Sequence, residues 1–174
     1  MTVTFKGQPV TLKGPELQTG DLAPDFTLIA TDLQPVTLDT ITQNGTRNAL
    51  LIVVPSLDTG VCSLESQKFN TRIGELPADV AAYVVSRDLP FAQSRWSKDQ
   101  GDVKLVLLSD YRFQNFGPGF GVLIEELGLL ARSVFIVGKD KTILYKQIVP
   151  EVTQEPDYED VIAAASRTSS AVNA

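Results

Sequence analysis

Asn48-Ala49-Leu50-Leu51-Ile52-Val53-Val54-Pro55-Ser56-Leu57-Asp58-Thr59-Gly60-Val61-Cys62 is the stretch that decides the fold. From Ala49 to Val54 every residue is apolar. A strand wetted on one face alternates apolar and polar residues, so a run without alternation belongs at the centre of a sheet, covered by helices on both sides. The loop that leaves the carboxyl end of such a strand is where α/β sheets bind their ligands. Here that loop leads directly to the chain's only cysteine.

Outward from this strand, Ala82-Tyr83-Val84-Val85 and Lys104-Leu105-Val106-Leu107-Leu108 read as similar buried strands. Val134 to Val137 and Ile143 to Tyr145 flank a Gly138-Lys139-Asp140-Lys141 turn and read as a closing hairpin. Near the start, Val3 and Phe5, then Val10 and Leu12, alternate with polar residues around Lys6-Gly7-Gln8-Pro9, which predicts an N-terminal β-hairpin within residues 1–13. Phe26 to Ile29 and Val36 to Leu38 predict two short peripheral extended pieces. Helices are expected from Val61 to about Leu76, from Phe91 to about Lys98, near Arg112 to Phe116, and from Tyr158 to about Ser166. The alternation predicts an α/β fold with a mixed central sheet flanked by helices. No repeat or linker divides the chain, so residues 1–174 are expected to form a single domain, with 167–174 a frayed tail.

Composition narrows the chemistry. A net charge of −6 without a dense basic patch argues against a nucleic-acid partner. The longest apolar run, Ala49 to Pro55, falls far short of the roughly 18 residues of a membrane span. The opening Met1 to Val10 has neither a basic nor an apolar leader region, so a soluble, cytoplasmic protein with no membrane partner is expected. Histidine is absent, which removes Ser-His-Asp triads, Cys-His pairs and the commonest metal ligand together. One cysteine excludes an intrachain disulfide and a Cys-rich metal cluster. No cofactor and no metal are expected, and chemistry falls to the thiol, carboxylates, Lys, Arg or Tyr.

Asp58 or Thr59 is placed to cap the helix that begins here, which puts Cys62 in its first turn. Unpaired backbone N–H groups and the helix dipole favour an anion there, and the thiolate is the attacking form of cysteine. A lone cysteine is also a small apolar residue suited to a core. The local residues leave these two readings level.

The pattern Pro55-x-x-x-Thr59-x-x-Cys62 resembles the active-site motif of the peroxiredoxin superfamily, and the longer run Pro55 to Cys62 with Lys68-Phe69-Asn70 is similar to its thiol peroxidase branch. Ser86 to Arg95 (SRDLPFAQSR), Gly128 to Arg132 (GLLAR) and Thr153 to Tyr158 (TQEPDY) match in the same order, and with the N-terminal hairpin they cover nearly the whole chain. The resemblance implies a thioredoxin-like fold, a homodimer, and reduction of hydrogen peroxide and alkyl hydroperoxides through a sulfenic acid. It gives Cys62 the place of the peroxidatic cysteine, Thr59 that of the hydroxyl bonded to it, Pro55 that of its shield, and Arg132 that of the distant guanidinium. Phe91, Phe113, Phe116 and Phe120 are candidates for an apolar entrance, although core or dimer packing is the commoner fate of such aromatics.

The chain departs from the resembling family at one position. The helix after Ser86 to Arg95 ordinarily carries a second, resolving cysteine, and here that position is Ser97. The serine fits either a natural one-cysteine enzyme or an engineered Cys-to-Ser change. Turnover must then draw on thioredoxin or another external thiol. The rival reading is a non-catalytic redox sensor or interaction protein. A cysteine hydrolase is disfavoured because no histidine is present to act as its base.

Overall fold

The computed structural model describes residues 1–173, with side chains as far as Ser169. Strands β1 (Thr2–Phe5) and β2 (Gln8–Lys13) form the expected hairpin. They are followed by β3 (Thr27–Ala30), β4 (Pro35–Thr37), the short helix α1 (Leu38–Ile41) and β5 (Asn48–Val53). Helix α2 (Gly60–Thr71) then leads through a 3-10 turn, Ile73–Glu75, to β6 (Val80–Ser86), helix α3 (Pro90–Gln100) and β7 (Val106–Ser109). The chain closes with α4 (Phe116–Gly119), β8 (Leu123–Ile124), β9 (Leu129–Leu130), β10 (Ser133–Val137), β11 (Ile143–Ile148) and α5 (Tyr158–Asn173).

Seven strands form the main sheet in the order β11-β10-β5-β6-β7-β3-β4, and β1-β2-β8-β9 form a second, four-stranded sheet. β5 pairs parallel with β6 and antiparallel with β10, so the main sheet is mixed. Every residue of β5 is buried, as its unbroken apolar run requires. Successive side chains of a strand point to opposite faces, and β5 divides accordingly. Ala49, Leu51 and Val53 pack with Phe26, Phe116, Phe120, Phe135 and the hairpin residues Val3, Val10 and Leu12. Leu50 and Ile52, with Val54 just beyond, pack with Cys62, Phe69, Trp96, Val161, Ala164 and Ala165. The three longer helices α2, α3 and α5 thus share one face. The other face is closed by the hairpin sheet and short helical turns, where the sequence predicts helices on both sides.

Other boundaries also differ from expectation. Leu38 begins a helical turn rather than ending a strand, because the Thr37 side chain accepts from the Thr40 backbone N–H while Thr40 reaches back to Thr37 N–H. The segment expected to be helical near Arg112 becomes α4, shifted to Phe116–Gly119, because Asp110 accepts from the backbone N–H groups of Phe116 (3.0 Å) and Gly117 (3.1 Å). The expected frayed stretch from Arg167 is the continuation of α5 to Asn173, where Thr168 donates back to the Ala164 carbonyl; Ala174 lies outside the described residues. Phe116 and Phe120 stack in the core at 4.4 Å between ring centroids, so they line no entrance.

The hairpin sheet is seated by a close backbone crossing. Gly121 has φ +68, and a Cβ there would stand 1.9 Å from the Pro15 carbonyl oxygen. Gly121→Ala is expected to cost at least about 2 kcal/mol, since a rigid backbone must move and a left-handed residue is strained. Urea unfolding measures this, and a midpoint equal to that of the unsubstituted chain would refute the crossing.

Candidate active site

Thr59 caps α2: its hydroxyl accepts from the Cys62 backbone N–H at 3.2 Å and donates to the Ser56 carbonyl at 3.2 Å. Thr59 therefore holds the backbone of the cysteine, and through Ser56 the loop, rather than its sulfur. Of the two candidate caps, Asp58 turns away to pair with Arg95 on α3 at 2.9 Å in an exposed position, a contact of little energetic weight. Cys62 sits in the first turn, fully buried and unbonded to any other cysteine.

Arg132 reaches it from the start of the neighbouring strand β10. Pairing of β10 with β5 sets Ser133 opposite Val53, so the preceding residue stands at the carboxyl end of β5, where the cysteine loop begins. Its side chain is 2% exposed. Nη2 donates to Cys62 Sγ at 3.2 Å, Nε donates to the Val152 carbonyl at 2.8 Å, and Nη1 pairs with Glu65 Oε2. A buried cation needs partners of this kind, because water no longer solvates it.

Glu65 was not singled out in the sequence, yet it lies three residues after Cys62 and therefore on the same side of α2. It is fully buried, and its Oε1 has no hydrogen-bond partner among the described residues. Burial pushes its carboxyl up to about 7 against the opposing pull of Arg132. Arg132 is itself shifted up: burial disfavours its charge, but Glu65 and Cys62 outweigh that cost. The two shifts pull in opposite senses on one ion pair. The guanidinium stays charged, so the carboxyl is the partner that titrates near neutrality.

Asp88 is a second residue that sequence reading missed. Its carboxylate accepts from Ser56 Oγ at 2.7 Å, Leu57 N–H at 2.8 Å and Ser86 Oγ at 2.8 Å, which ties the cysteine loop to the end of β6. Gln93 donates to Ser86 Oγ and to the Leu108 carbonyl, joining α3 to the same network. Ser97 lies half-buried on α3, beside Trp96, whose indole N–H donates to Ser63 Oγ at 3.0 Å.

Pro55 is buried and lines, with Phe5, Lys6, Thr59, Gly60, Val61, Arg132, Val152 and Thr153, a cavity of about 350 Å³ beside Cys62. A larger cavity of about 650 Å³ between α2 and the start of α5 contains none of Pro55, Thr59, Cys62 or Arg132. The smaller one is the candidate site, because Arg132, whose guanidinium bonds Cys62 Sγ, lines it together with Pro55 and Thr59, while Cys62 itself is buried behind that wall.

The Redoxin family model matches residues 18–162. The thiol peroxidase of Halalkalibacterium halodurans is 48% identical over 164 residues, which is 94% of this chain and 96% of that protein. The thiol peroxidase of Bacillus subtilis is 45% identical over 163 residues, 94% of this chain and 95% of that one. The chain belongs to the redoxin family, in its thiol peroxidase branch. The crystal structure of a peroxiredoxin-like protein from Aquifex aeolicus superposes with a TM-score of 0.88 at 40% identity, covering 95% of this chain and 96% of that one. A thiol peroxidase from Chromobacterium violaceum shares the fold at 17% identity, with a TM-score of 0.85 and 98% of each chain covered. The fold is therefore the thioredoxin-like peroxiredoxin fold.

The titration of Glu65 has a measurable sign. The folded state keeps its proton to about 7 while the unfolded state releases it near 4.5, so stability falls as pH rises between these values. Glu65→Gln removes that proton. The stability of the unsubstituted chain relative to the variant should therefore decline from pH 5 to 7, by at most about 1.4 kcal/mol per pH unit, and level off above. Urea unfolding at four pH values tests this, and a pH-independent difference would show that Glu65 is ionised throughout.

Proposed function

We propose that Cys62 is the peroxidatic nucleophile of a thiol-dependent peroxidase that reduces hydrogen peroxide and alkyl hydroperoxides in antioxidant defence. The observation that carries this reading is the 3.2 Å contact of the Arg132 guanidinium with Cys62 Sγ at the start of α2. The thiolate attacks one peroxide oxygen, the O–O bond breaks, and the products are Cys62-SOH and an alkoxide that takes a proton from solvent to become the alcohol. Negative charge builds on the leaving oxygen, and a guanidinium already aimed at the sulfur stabilises it without giving up a proton. Thr59 orients the Cys62 N–H, Pro55 walls the sulfur from bulk water, and Glu65 and Val152 hold the guanidinium in place.

The return half of the cycle needs an outside reductant. With Ser97 at the resolving position, a first external thiol condenses with Cys62-SOH to a mixed disulfide and water, and a second thiol restores Cys62. We propose thioredoxin or a comparable dithiol in this role. A free cysteine regenerated by thiols suits a reducing compartment, which supports a cytoplasmic location. Among the described residues no helix is long and apolar enough to cross a membrane. We read the chain as one domain, and the exposed apolar side chains Leu89, Phe91 and Phe113 support a homodimer.

Arg132→Met keeps the stem and deletes the charge. The second-order rate of Cys62 oxidation is expected to fall at least roughly tenfold, about 1.4 kcal/mol of transition-state stabilisation. Because Glu65 loses its cation, the double variant Glu65→Gln/Arg132→Met is the cleaner comparison against Glu65→Gln alone. Fluorescence of the single tryptophan, Trp96, bonded next to Cys62 through Ser63, follows the reaction, and mass spectrometry identifies the added oxygen. An unchanged rate would remove Arg132 from the mechanism.

Ser97→Cys tests the resolving position. After one equivalent of peroxide the variant is expected to lose two hydrogens as an intramolecular disulfide with Cys62 and to gain thioredoxin-dependent turnover. Such a disulfide requires Cα atoms within about 7 Å, so it forms only if α2 and α3 bring the two positions that close. If only oxygen adducts of Cys62 form, the segment is not placed for resolution.

A further inference from the structure

A further cavity, of about 500 Å³, opens at the other end of the central strands, and the stagger of the sheet creates it. The pairing of β6 with β7 starts only at Tyr83 and Val106, so Val80, Ala81 and Ala82 have β5 along one edge and no strand along the other. β3 in turn covers β7 only at Leu108 and Ser109, which leaves Val106 bare at the beginning of the strand. Val106 is 47% exposed, whereas the three residues that follow it are buried. With Leu76 and Pro77 from the turn before β6, Ala81 and Val106 give this notch an apolar floor.

Two cations, Arg47 and Lys104, line the same notch. The Arg47 guanidinium is held by one nitrogen, Nη2, which donates to the Ala78 carbonyl at 2.8 Å and the Val80 carbonyl at 3.4 Å. Its Nη1 and Nε have no partner among the described residues. Lys104 is fixed through its backbone, whose N–H donates to Asn70 Oδ1 at 2.6 Å, while its exposed side chain pairs with no acid among the described residues. The acids that flank the lining segment are drawn away: Glu75 pairs with Arg72 at 2.7 Å and Asp79 with Lys139 at 3.0 Å. No carboxylate therefore lines the notch, in a chain whose net charge is −6. Positive charge gathered beside apolar surface, in an otherwise acidic chain, is complementary to an anion that carries an apolar body.

We propose that this notch binds a single-chain amphiphilic carboxylate, a free fatty acid of medium length, with its head on Arg47 and Lys104 and its chain laid over Ala81 and Val106. An inorganic anion would use the cations and leave the apolar floor wet. A neutral alcohol would cover the floor and leave the cations unanswered. A guanidinium already fixed by backbone carbonyls suits a carboxylate, because the charge-assisted hydrogen bonds between them are strong and directional. The site is separate from that of Cys62. Val80 pairs with Asn48 at the amino end of β5, whereas the cysteine loop leaves its carboxyl end, and at roughly 3.3 Å per residue the length of this strand sets the two roughly 16 Å apart. The fatty acid is thus a ligand and not a substrate, and the approach of peroxide to Cys62 stays open.

NMR titration of the isotope-labelled chain with decanoate, kept below its micelle concentration, tests this against decanol and inorganic phosphate as comparison probes. Decanoate is expected to shift the amide signals of Ala81, Ala82 and Val106 saturably and to bind at least about tenfold more tightly than either comparison probe, the scale of a charge-assisted contact. Lys104→Glu reverses an exposed charge without touching the core and should weaken decanoate about tenfold. Arg47→Met should weaken it by a similar factor, and Lys104→Glu carries the test alone if loss of the bonds to Ala78 and Val80 unfolds that variant. Four results would overturn the inference: no saturable shifts at Ala81 and Val106, decanoate shifts confined to Val61 and Val152 beside Cys62, equal binding of decanol or phosphate, or an unchanged affinity in Lys104→Glu. None of them bears on the oxidation of Cys62 by hydroperoxides.

Discussion

The charge of Arg132 is the constraint around which this structure is arranged. A guanidinium that is 2% exposed must exchange its water for fixed acceptors, and it finds three of them on two separate parts of the chain: Cys62 and Glu65 on α2, and the Val152 carbonyl beyond β11. Each partner is thereby pinned relative to β10. Displacing any of them leaves a buried cation short of an acceptor, a far larger penalty than the loss of an ordinary hydrogen bond. The ion pair with Glu65 adds little net stability once desolvation is counted. Its effect is positional, since it sets which guanidinium nitrogen faces the sulfur.

A second anchor works from the opposite end of the cysteine loop. Asp88 leaves β6 and receives the Ser56 hydroxyl and Leu57 N–H, so the loop between β5 and α2 is fastened to the neighbouring parallel strand before α2 begins. Thr59 then joins the loop to the helix, its hydroxyl donating to the Ser56 carbonyl and accepting from the Cys62 N–H. The cysteine's position is set by Asp88 through the sheet, by Thr59 through the helix cap and by Arg132 through β10. All three act at the carboxyl end of β5, which is why a strand without a polar residue after Asn48 still governs the chemistry.

The parts of this arrangement that were legible in the sequence are those written in local pattern. The apolar run of β5, the hairpin alternation around Lys6-Gly7, the Pro55 to Cys62 loop and the helix after it follow from period and turn chemistry. The long-range resemblance brought Arg132 to the same place. Glu65 and Asp88 escaped because an acidic residue in a sequence reads as surface until its buried partner is known, although the three-residue spacing of Glu65 from Cys62 was a usable signal. The two-residue strands β8 and β9 and the four-residue α4 are too short to carry a period, and they exist because β2 and Asp110 supply their partners. The far end of α5 reads as a loose polar tail, since its small residues show no strong apolar stripe. Its order follows from tertiary contacts such as the bond from Ser169 Oγ to Asp79.

A single thiol changes what the surroundings of the site have to do. On the proposed reading, an oxidised Cys62 cannot be relieved from within the chain, so the reductant must come to the sulfur. Helix α3 is not placed to open a path for it. Trp96 bonds to Ser63, Gln67 to Gln100 at 2.6 Å, and Asn70 spans the Asp102 carbonyl and the Lys104 N–H, which together fasten α3 and its C-terminal turn to α2. Without a resolving sulfur at Ser97, unwinding α3 would break these bonds and deliver no nucleophile. The cavity under the hairpin tip is thus the approach that leaves them intact. Peroxide and reducing thiol would then reach Cys62 by the same mouth in succession, and walls that admit the first must also admit the second. The hairpin beside that mouth is seated in the core by Val3, Val10 and Leu12 and is bonded to Val152, whose carbonyl in turn holds Arg132, so the mouth keeps one shape for both.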